Sequence, residues 1–414
     1  MTAVVILGAG TAGTMLANKL CAALPDDHSV TVIDQNDKHH YQPGYLFVPF
    51  GRFPPERIAR PRTAQLHPGA QVLIDAVARV EPSAREIRLA SGRTVSYDWL
   101  IIASGTVPRP DQTPGLLDER LWRKTAFDFY TLEGAVALRD ALAAFEGGRL
   151  LVHISEMPIK CPVAPLEFAF LADDYFRKRR IRHKVDITYV TPLDGAFTKP
   201  VAAATLGNLL EDRSVRLAAD FAVSQVDPAT RHLLAYDGRS LPFDLLVTVP
   251  VNMGQQFVID SGLGDDLGFV PVDKHTLRSV ADPRIFAIGD ATNVPTSKAG
   301  AVAHFEVDHL VANLQAAMAG RPLPSRYDGH ANCFVESGRG KALLLDFNYD
   351  TEPLTGTFPA PVVGPLTLLG ESRLNHLGKL AFEKVYWNAL LPGRSLPVPT
   401  EMTMRGKIPA GTKV

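Results

Sequence analysis

The sequence predicts an α/β protein with two Rossmann-like dinucleotide-binding domains, the first discontinuous, on three observations. A buried-strand run, Ala3-Val4-Val5-Ile6-Leu7, leads into a glycine loop and a helix through about residue 24, and a second strand Ser29-Val30-Thr31-Val32-Ile33-Asp34 follows. A second βαβ series repeats the order: helix 131–146, strand 149–154, helix 165–180, strand 185–190. A late strand at 284–288, ending in Gly289-Asp290, reads as a return to the first unit. Further strands are expected at 71–80, 85–90 and 98–103, then at 222–226, 231–236 and 243–249. The predicted division is 1–112 with 266–325, then 113–265, then a C-terminal α+β region at 326–414 with strands at 332–336 and 341–347 and an amphipathic helix at 373–391.

Composition narrows the function classes. Lys plus Arg number 43 against 44 Asp plus Glu, so a formal charge of −1 gives no electrostatic footprint for nucleic acid. The start, Met1-Thr2-Ala3, runs directly into a strand with no charged n-region, which predicts a cytoplasmic protein without an export signal. No apolar run reaches spanning length, which leaves attachment at a membrane surface open. The three cysteines, Cys21, Cys161 and Cys333, form no CxxC pair and no metal-spaced cluster, so no metal site is expected. Cys21 lies among Leu16, Ala17, Leu20 and Leu24 and reads as a packing residue.

Gly8-Ala9-Gly10-Thr11-Ala12-Gly13 has the GxGxxG spacing between a strand and a helix. The first glycine permits the turn, the second lets the backbone approach a pyrophosphate, and the third lets helix and strand pack closely. Asp34, about 20 residues further on, stands where an acid accepts ribose hydroxyls. The segment Ala287-Ile288-Gly289-Asp290 resembles the second FAD fingerprint of two-dinucleotide-domain flavoproteins, and Ala103-Ser104-Gly105 resembles their short crossover motif. The resemblance implies an FAD site formed by Gly8, Gly10, Gly13, Asp34, Ser104, Gly105, Gly289 and Asp290.

In the second βαβ unit, the strand ending at Ile154 runs into Ser155-Glu156-Met157-Pro158-Ile159-Lys160-Cys161-Pro162, which has no glycine. Proline removes amide donors and Glu156 repels phosphate, so this is a poor nicotinamide cradle. A cysteine stands in its place.

Ile159-Lys160-Cys161-Pro162-Val163-Ala164-Pro165 resembles the CxxAP loop of sulfide:quinone oxidoreductases and of the flavoprotein subunit of flavocytochrome c sulfide dehydrogenase. Asn332-Cys333-Phe334-Val335-Glu336 resembles the segment carrying that family's second redox cysteine. The stretch from Pro295 to His304 is similar to its helix entry beside the flavin, and Leu377 to Trp387 to its quinone-side helix. The resemblance implies a disulfide or persulfide relay between Cys161 and Cys333, with hydrosulfide or another small sulfur compound as donor and a membrane quinone as acceptor. It also implies Lys298 as a stabiliser of charge on reduced flavin, and Lys379 and Phe334 on the quinone side. Lys160 and the following helix are expected to favour a thiolate at Cys161. A third family cysteine upstream is absent, since that region reads Phe127-Asp128-Phe129-Tyr130, so FAD is expected to be bound non-covalently. Leu374, Leu377, Leu380, Ala381, Val385 and Trp387 are expected to form an apolar surface for a membrane interface. The reading is compatible with a homo-oligomer. A type II NADH dehydrogenase-like enzyme and a non-catalytic flavoprotein sensing thiol state are the alternatives.

Overall fold

The structure is a computed structural model, and it describes residues 2–359 and 364–408. The end of the expected C-terminal region, 409–414, lies outside the described residues.

The first sheet is parallel, in the order Ile285–Ala287, β3 (Trp99–Ile102), β1 (Thr2–Leu7), β2 (His28–Asp34), Gln71–Ile74. Its central strands are continuous apolar runs because the sheet is buried on both faces; Val4 to Leu7 and Leu100 to Ile102 are all buried. Strand order reverses on either side of β1, and the crevice at the carboxyl ends of such strands is where ligands bind in open α/β sheets. Helix α1 (Thr11–Ala23) begins at this point.

The second sheet is also parallel: Ala126–Phe127, Leu245–Val249, β4 (Gly148–Ile154), Val185–Val190, Arg216–Ala218. Helix α2 (Ala164–Lys178) follows β4. A third sheet contains β5 (Ala331–Gly338) paired antiparallel with β6 (Lys341–Phe347), then Leu366–Leu368, Thr355–Phe358 and Lys407–Ile408. Helix α2 packs on β5, and α3 (Arg373–Val385) packs on β6. Among the described residues, no helix is long and apolar enough to cross a membrane.

Several expectations change. The strand expected at 71–80 is two strands, Gln71–Ile74 and Val77–Glu81, because the Asp75 amide donates to the Asp34 carbonyl and the chain then turns away to pair with Glu86–Leu89. The helix expected at 373–391 is α-helical only to Val385 and continues as a π turn over Tyr386–Leu390. That turn carries Tyr386, Trp387 and Leu390 into the interior, so Trp387 is 4% exposed and does not belong to the outward apolar face. Val385 is likewise partly covered and packs on the core, leaving Leu374, Leu377, Leu380 and Ala381 outside. The helix Pro200–Asp212 escaped the periodicity reading, although Pro200 at its first turn is a start signal.

Candidate active site

One cavity of about 350 Å³ runs from Asp34 and Asn36, past Gly8, Gly10 and Thr11, to Gly289, Asp290 and Lys298, and on to Cys161, Glu167 and Lys379. At its first end the glycines divide their work. A Cβ on Gly8, whose φ is +97°, would lie 2.6 Å from the Ala103 carbonyl oxygen, and one on Gly13 would lie 1.9 Å from the Gly8 carbonyl oxygen. These two close the strand–helix packing. Gly10 has nothing within 4 Å of a Cβ and faces the cavity, which leaves the backbone open to a pyrophosphate at the N-terminus of α1. Ser104, Gly105 and Thr106 line the opposite wall, and the Ser104 and Thr106 hydroxyl oxygens are buried without a partner. Unpartnered buried hydroxyls along a phosphate-binding crevice fit a polar, multi-acceptor ligand.

Asp34 has a second task. Its Oδ2 accepts the Ala9 amide at 2.7 Å and faces Arg62 Nη1 at 3.2 Å, so one oxygen holds the glycine loop. Arg62, buried, also donates to the Ala9, Asn36 and Lys38 carbonyls. The sequence reading missed it because a lone arginine in an irregular stretch carries no local signal.

At the other end, the Cys161 backbone has φ +49°, its amide donates to the Lys298 carbonyl, and its carbonyl accepts the Tyr130 hydroxyl at 3.1 Å. This places Cys161 on the cavity wall in front of α2. Cys333, 8% exposed on β5, stands close enough that its charge acts on Cys161, and both are free thiols here. A charge pair that the sequence does not announce acts on both. Glu167, fully buried in the first turn of α2, accepts Lys379 Nζ at 2.8 Å and the Glu336 amide at 2.7 Å through Oε1. Its Oε2 is buried without a partner. Lys379 also donates to the Phe334 carbonyl at 3.2 Å. An acid six positions past Cys161 was visible, but a first-turn glutamate is ordinary dipole complementarity until its partner is known.

The expected thiolate at Cys161 is corrected. Burial pushes the Cys161 thiol up to about 12, Glu167 adds to the rise, and Lys379 opposes it. Burial likewise pushes Cys333 up to about 12, with Lys379 opposing. Burial holds the Glu167 carboxyl above the usual range. Lys298 lines the cavity, its ammonium donating to the Thr292 carbonyl and sitting 4.4 Å from the centre of the Phe269 ring, with Asp290 acting on its charge. Phe334 does not line the cavity; its ring lies against Gly378 of α3, where a Cβ would come within 2.9 Å.

A family model for pyridine nucleotide-disulphide oxidoreductases matches residues 2–160. The mitochondrial sulfide:quinone oxidoreductase of Mus musculus is 29% identical over 362 residues, covering 86% of this chain and 80% of that protein. That of Dictyostelium discoideum is 26% identical over 404 residues, covering 95% and 87%. The chain is similar to these sulfide:quinone oxidoreductases over most of its length. The fold agrees: the crystal structure of the sulfide:quinone oxidoreductase of Aquifex aeolicus superimposes with a TM-score of 0.78 at 21% identity, covering 95% of this chain and 92% of that one. The chain is an oxidoreductase flavoenzyme, and FAD is the cofactor that the glycine-loop end of the cavity fits.

Proposed function

We propose that the protein oxidises sulfide, or a related sulfane-sulfur compound, through Cys161 and Cys333 and passes the electrons through FAD to a membrane quinone. The observation that carries this reading is Cys161 beside the buried Glu167–Lys379 pair at the end of the cofactor cavity where a nicotinamide glycine loop is missing, with Cys333 buried behind that wall and close enough for its charge to act on Cys161. The proposed division of labour follows: 1–112 with 266–325 hold FAD, 113–265 supply Cys161, and 326–414 supply Cys333 and the quinone side.

In the oxidised pair, hydrosulfide attacks one sulfur of a Cys161–Cys333 disulfide. An S–S bond to the incoming sulfur forms, the cysteine–cysteine bond breaks, and the displaced cysteine leaves with the electron pair as a thiolate. Lys379 acts on both sulfurs and opposes their raised proton affinity, so it stabilises that thiolate whichever cysteine leaves. Glu167, with a carboxyl raised by burial and one oxygen unpartnered, holds the proton that the incoming sulfur releases. FAD, when bound, supplies the two-electron acceptor between sulfur and quinone. Lys298 places a cation beside Asp290 at the middle of the cavity, where negative charge on the reduced cofactor would be offset. Non-covalent retention of FAD accords with Phe127 to Tyr130 offering no thiol. The exposed Leu374, Leu377 and Leu380 of α3 supply an apolar face for a membrane surface on the side of Phe334.

Anaerobic addition of sulfide is expected to bleach the flavin absorbance, and a soluble quinone analogue to restore it. Cys161→Ser and Cys333→Ser are each expected to slow bleaching by more than about 100-fold, the scale of losing a covalent nucleophile. Unchanged bleaching in both variants overturns the proposal. Bleaching by NADH and not by sulfide would select a type II NADH dehydrogenase-like activity instead.

A further inference from the structure

The glycine loop is clamped from outside its own domain by the chain's C-terminal part. Tyr386, fully buried at the start of the π turn, has its hydroxyl 2.7 Å from Thr11 Oγ1 and 2.7 Å from His39 Nε2. His39 Nδ1 lies 3.1 Å from the Ala9 carbonyl, which only accepts, so Nδ1 carries the proton and Nε2 accepts. The direction of every bond then follows: Thr11 donates to Tyr386, Tyr386 donates to His39, and His39 donates to Ala9. The circuit begins and ends in the glycine loop, two residues apart, and its two outer members are Tyr386 and His39. Burial and the neighbouring Arg62 hold the imidazole neutral, consistent with this tautomer.

Two further contacts fix the same segment to α1. Asn18 Nδ2 donates to the Leu391 carbonyl at 2.6 Å, and Gly393 packs so tightly on Lys19 that a Cβ would lie 2.9 Å from its side chain. The π turn makes this docking work. The register shift turns the adjacent Tyr386 and Trp387 inward together, the first to the loop and the second against His39 with ring centroids 5.5 Å apart. Such single π turns are common at functional sites. The middle of the preceding helix, α3, holds Lys379 on Glu167 and Gly378 on Phe334.

We propose that Tyr386 is a positioning residue that couples the seating of α3 to the retention of FAD. Thr11 stands at the first position of α1 with its side chain tied to Tyr386, so the amides that meet the pyrophosphate are held at their spacing by a residue from the far end of the chain. Because coupling between two sites is reciprocal, FAD that tightens the loop tightens the docking of 386–393 by the same factor. This inference rests on FAD binding alone and does not depend on sulfide as the donor.

The test uses the FAD-loaded full chain and follows flavin fluorescence on release. Tyr386→Phe removes both the bond from Thr11 and the bond to His39, and Thr11→Val removes only the first, each with almost no change of volume. Thr11→Val is expected to speed FAD release about fivefold, the size of one hydrogen bond's net worth, and Tyr386→Phe at least as much. The double variant is expected to release it no faster than Tyr386→Phe alone, because that change already deletes the bond that Thr11→Val removes. Flavin release should also precede global unfolding in the variants, and protease cleavage after Arg394 should quicken when FAD is removed from the native protein. The proposal fails if Tyr386→Phe keeps FAD as well as the native protein, if the two effects simply add, or if flavin release only tracks unfolding of the whole chain.

Discussion

Cys161 occupies left-handed backbone, φ +49°, a conformation that costs a non-glycine residue about 1–3 kcal/mol and that clusters at active sites. The neighbours that compensate are visible: the Lys298 carbonyl, the Tyr130 hydroxyl and the Ala164 amide all bond its main chain. The side chain is thereby aimed at the cavity while its thiol remains protonated. With Cys161 and Cys333 pushed up to about 12, the thiolate share at pH 8 is only on the order of 1 in 10,000. Iodoacetamide labelling of Cys161 in the reduced protein is therefore expected to accelerate about tenfold per pH unit from 8 to 11 without a plateau. A plateau near pH 7 to 8 would contradict the raised thiols. The stability sign is the same for both. The folded state holds protons that the unfolded thiols release, so the contribution is complete below about pH 9 and is lost as pH rises toward 12. The chemistry then needs the Lys379 ammonium nearby, which is the partner that a thiolate leaving group would meet.

At the scale of elements, α3 has two faces with separate jobs, one turned inward and one outward. Gly378 admits the Phe334 ring, Lys379 reaches Glu167, and Asn375 closes the helix start through the Thr367 amide and carbonyl. Leu374, Leu377 and Leu380 remain 50%, 58% and 48% exposed, a contiguous i, i+3, i+6 stripe with no protein partner among the described residues. Arg373 and Lys384 lie on the same helix, a pattern suited to an interface with lipid headgroups. The double variant Leu377→Glu with Leu380→Glu is expected to lose more than half of its co-sedimentation with anionic liposomes. Its stability should change by no more than about 0.5 kcal/mol, since neither side chain is in the core. Equal liposome binding by the variant would remove α3 as the attachment surface. The periodicity of this helix was legible beforehand. Its last turn was not, because a π turn changes the register without any residue that announces it, and so Trp387 was assigned to the wrong side.

For the whole molecule, the third sheet is closed by a strand from the end of the chain. Lys407, 2% exposed at its side chain, meets the fully buried Asp346 of β6 at 2.6 Å, and His330 meets the other carboxylate oxygen at 2.7 Å. Asp346 pairs across the sheet with Asn332, next to Cys333 and its partner Leu345. Lys407→Ala leaves a buried carboxylate with one cation fewer and is expected to cost about 3 kcal/mol in urea unfolding. A loss below about 1 kcal/mol would show that water replaces the lysine there.

The sequence by itself determined the βαβ opening around the glycine loop, the residues at the cofactor end of the cavity and the missing second loop, and its resemblance to a known family singled out the two candidate cysteines. The first three are local matters: glycine spacing, apolar runs and proline act on backbone within a few residues. Gly8, Gly10, Asp34, Ser104, Gly105, Gly289, Asp290, Lys298, Cys161 and Lys379 accordingly all line one cavity. Only the tertiary structure decided that Asp34 also holds the loop, that burial, Glu167 and Lys379 act on Cys161, and that Tyr386 reaches Thr11. Those contacts join segments as much as 375 positions apart. The protonation of the thiols follows from burial, which belongs to the assembled fold and to no stretch of the chain.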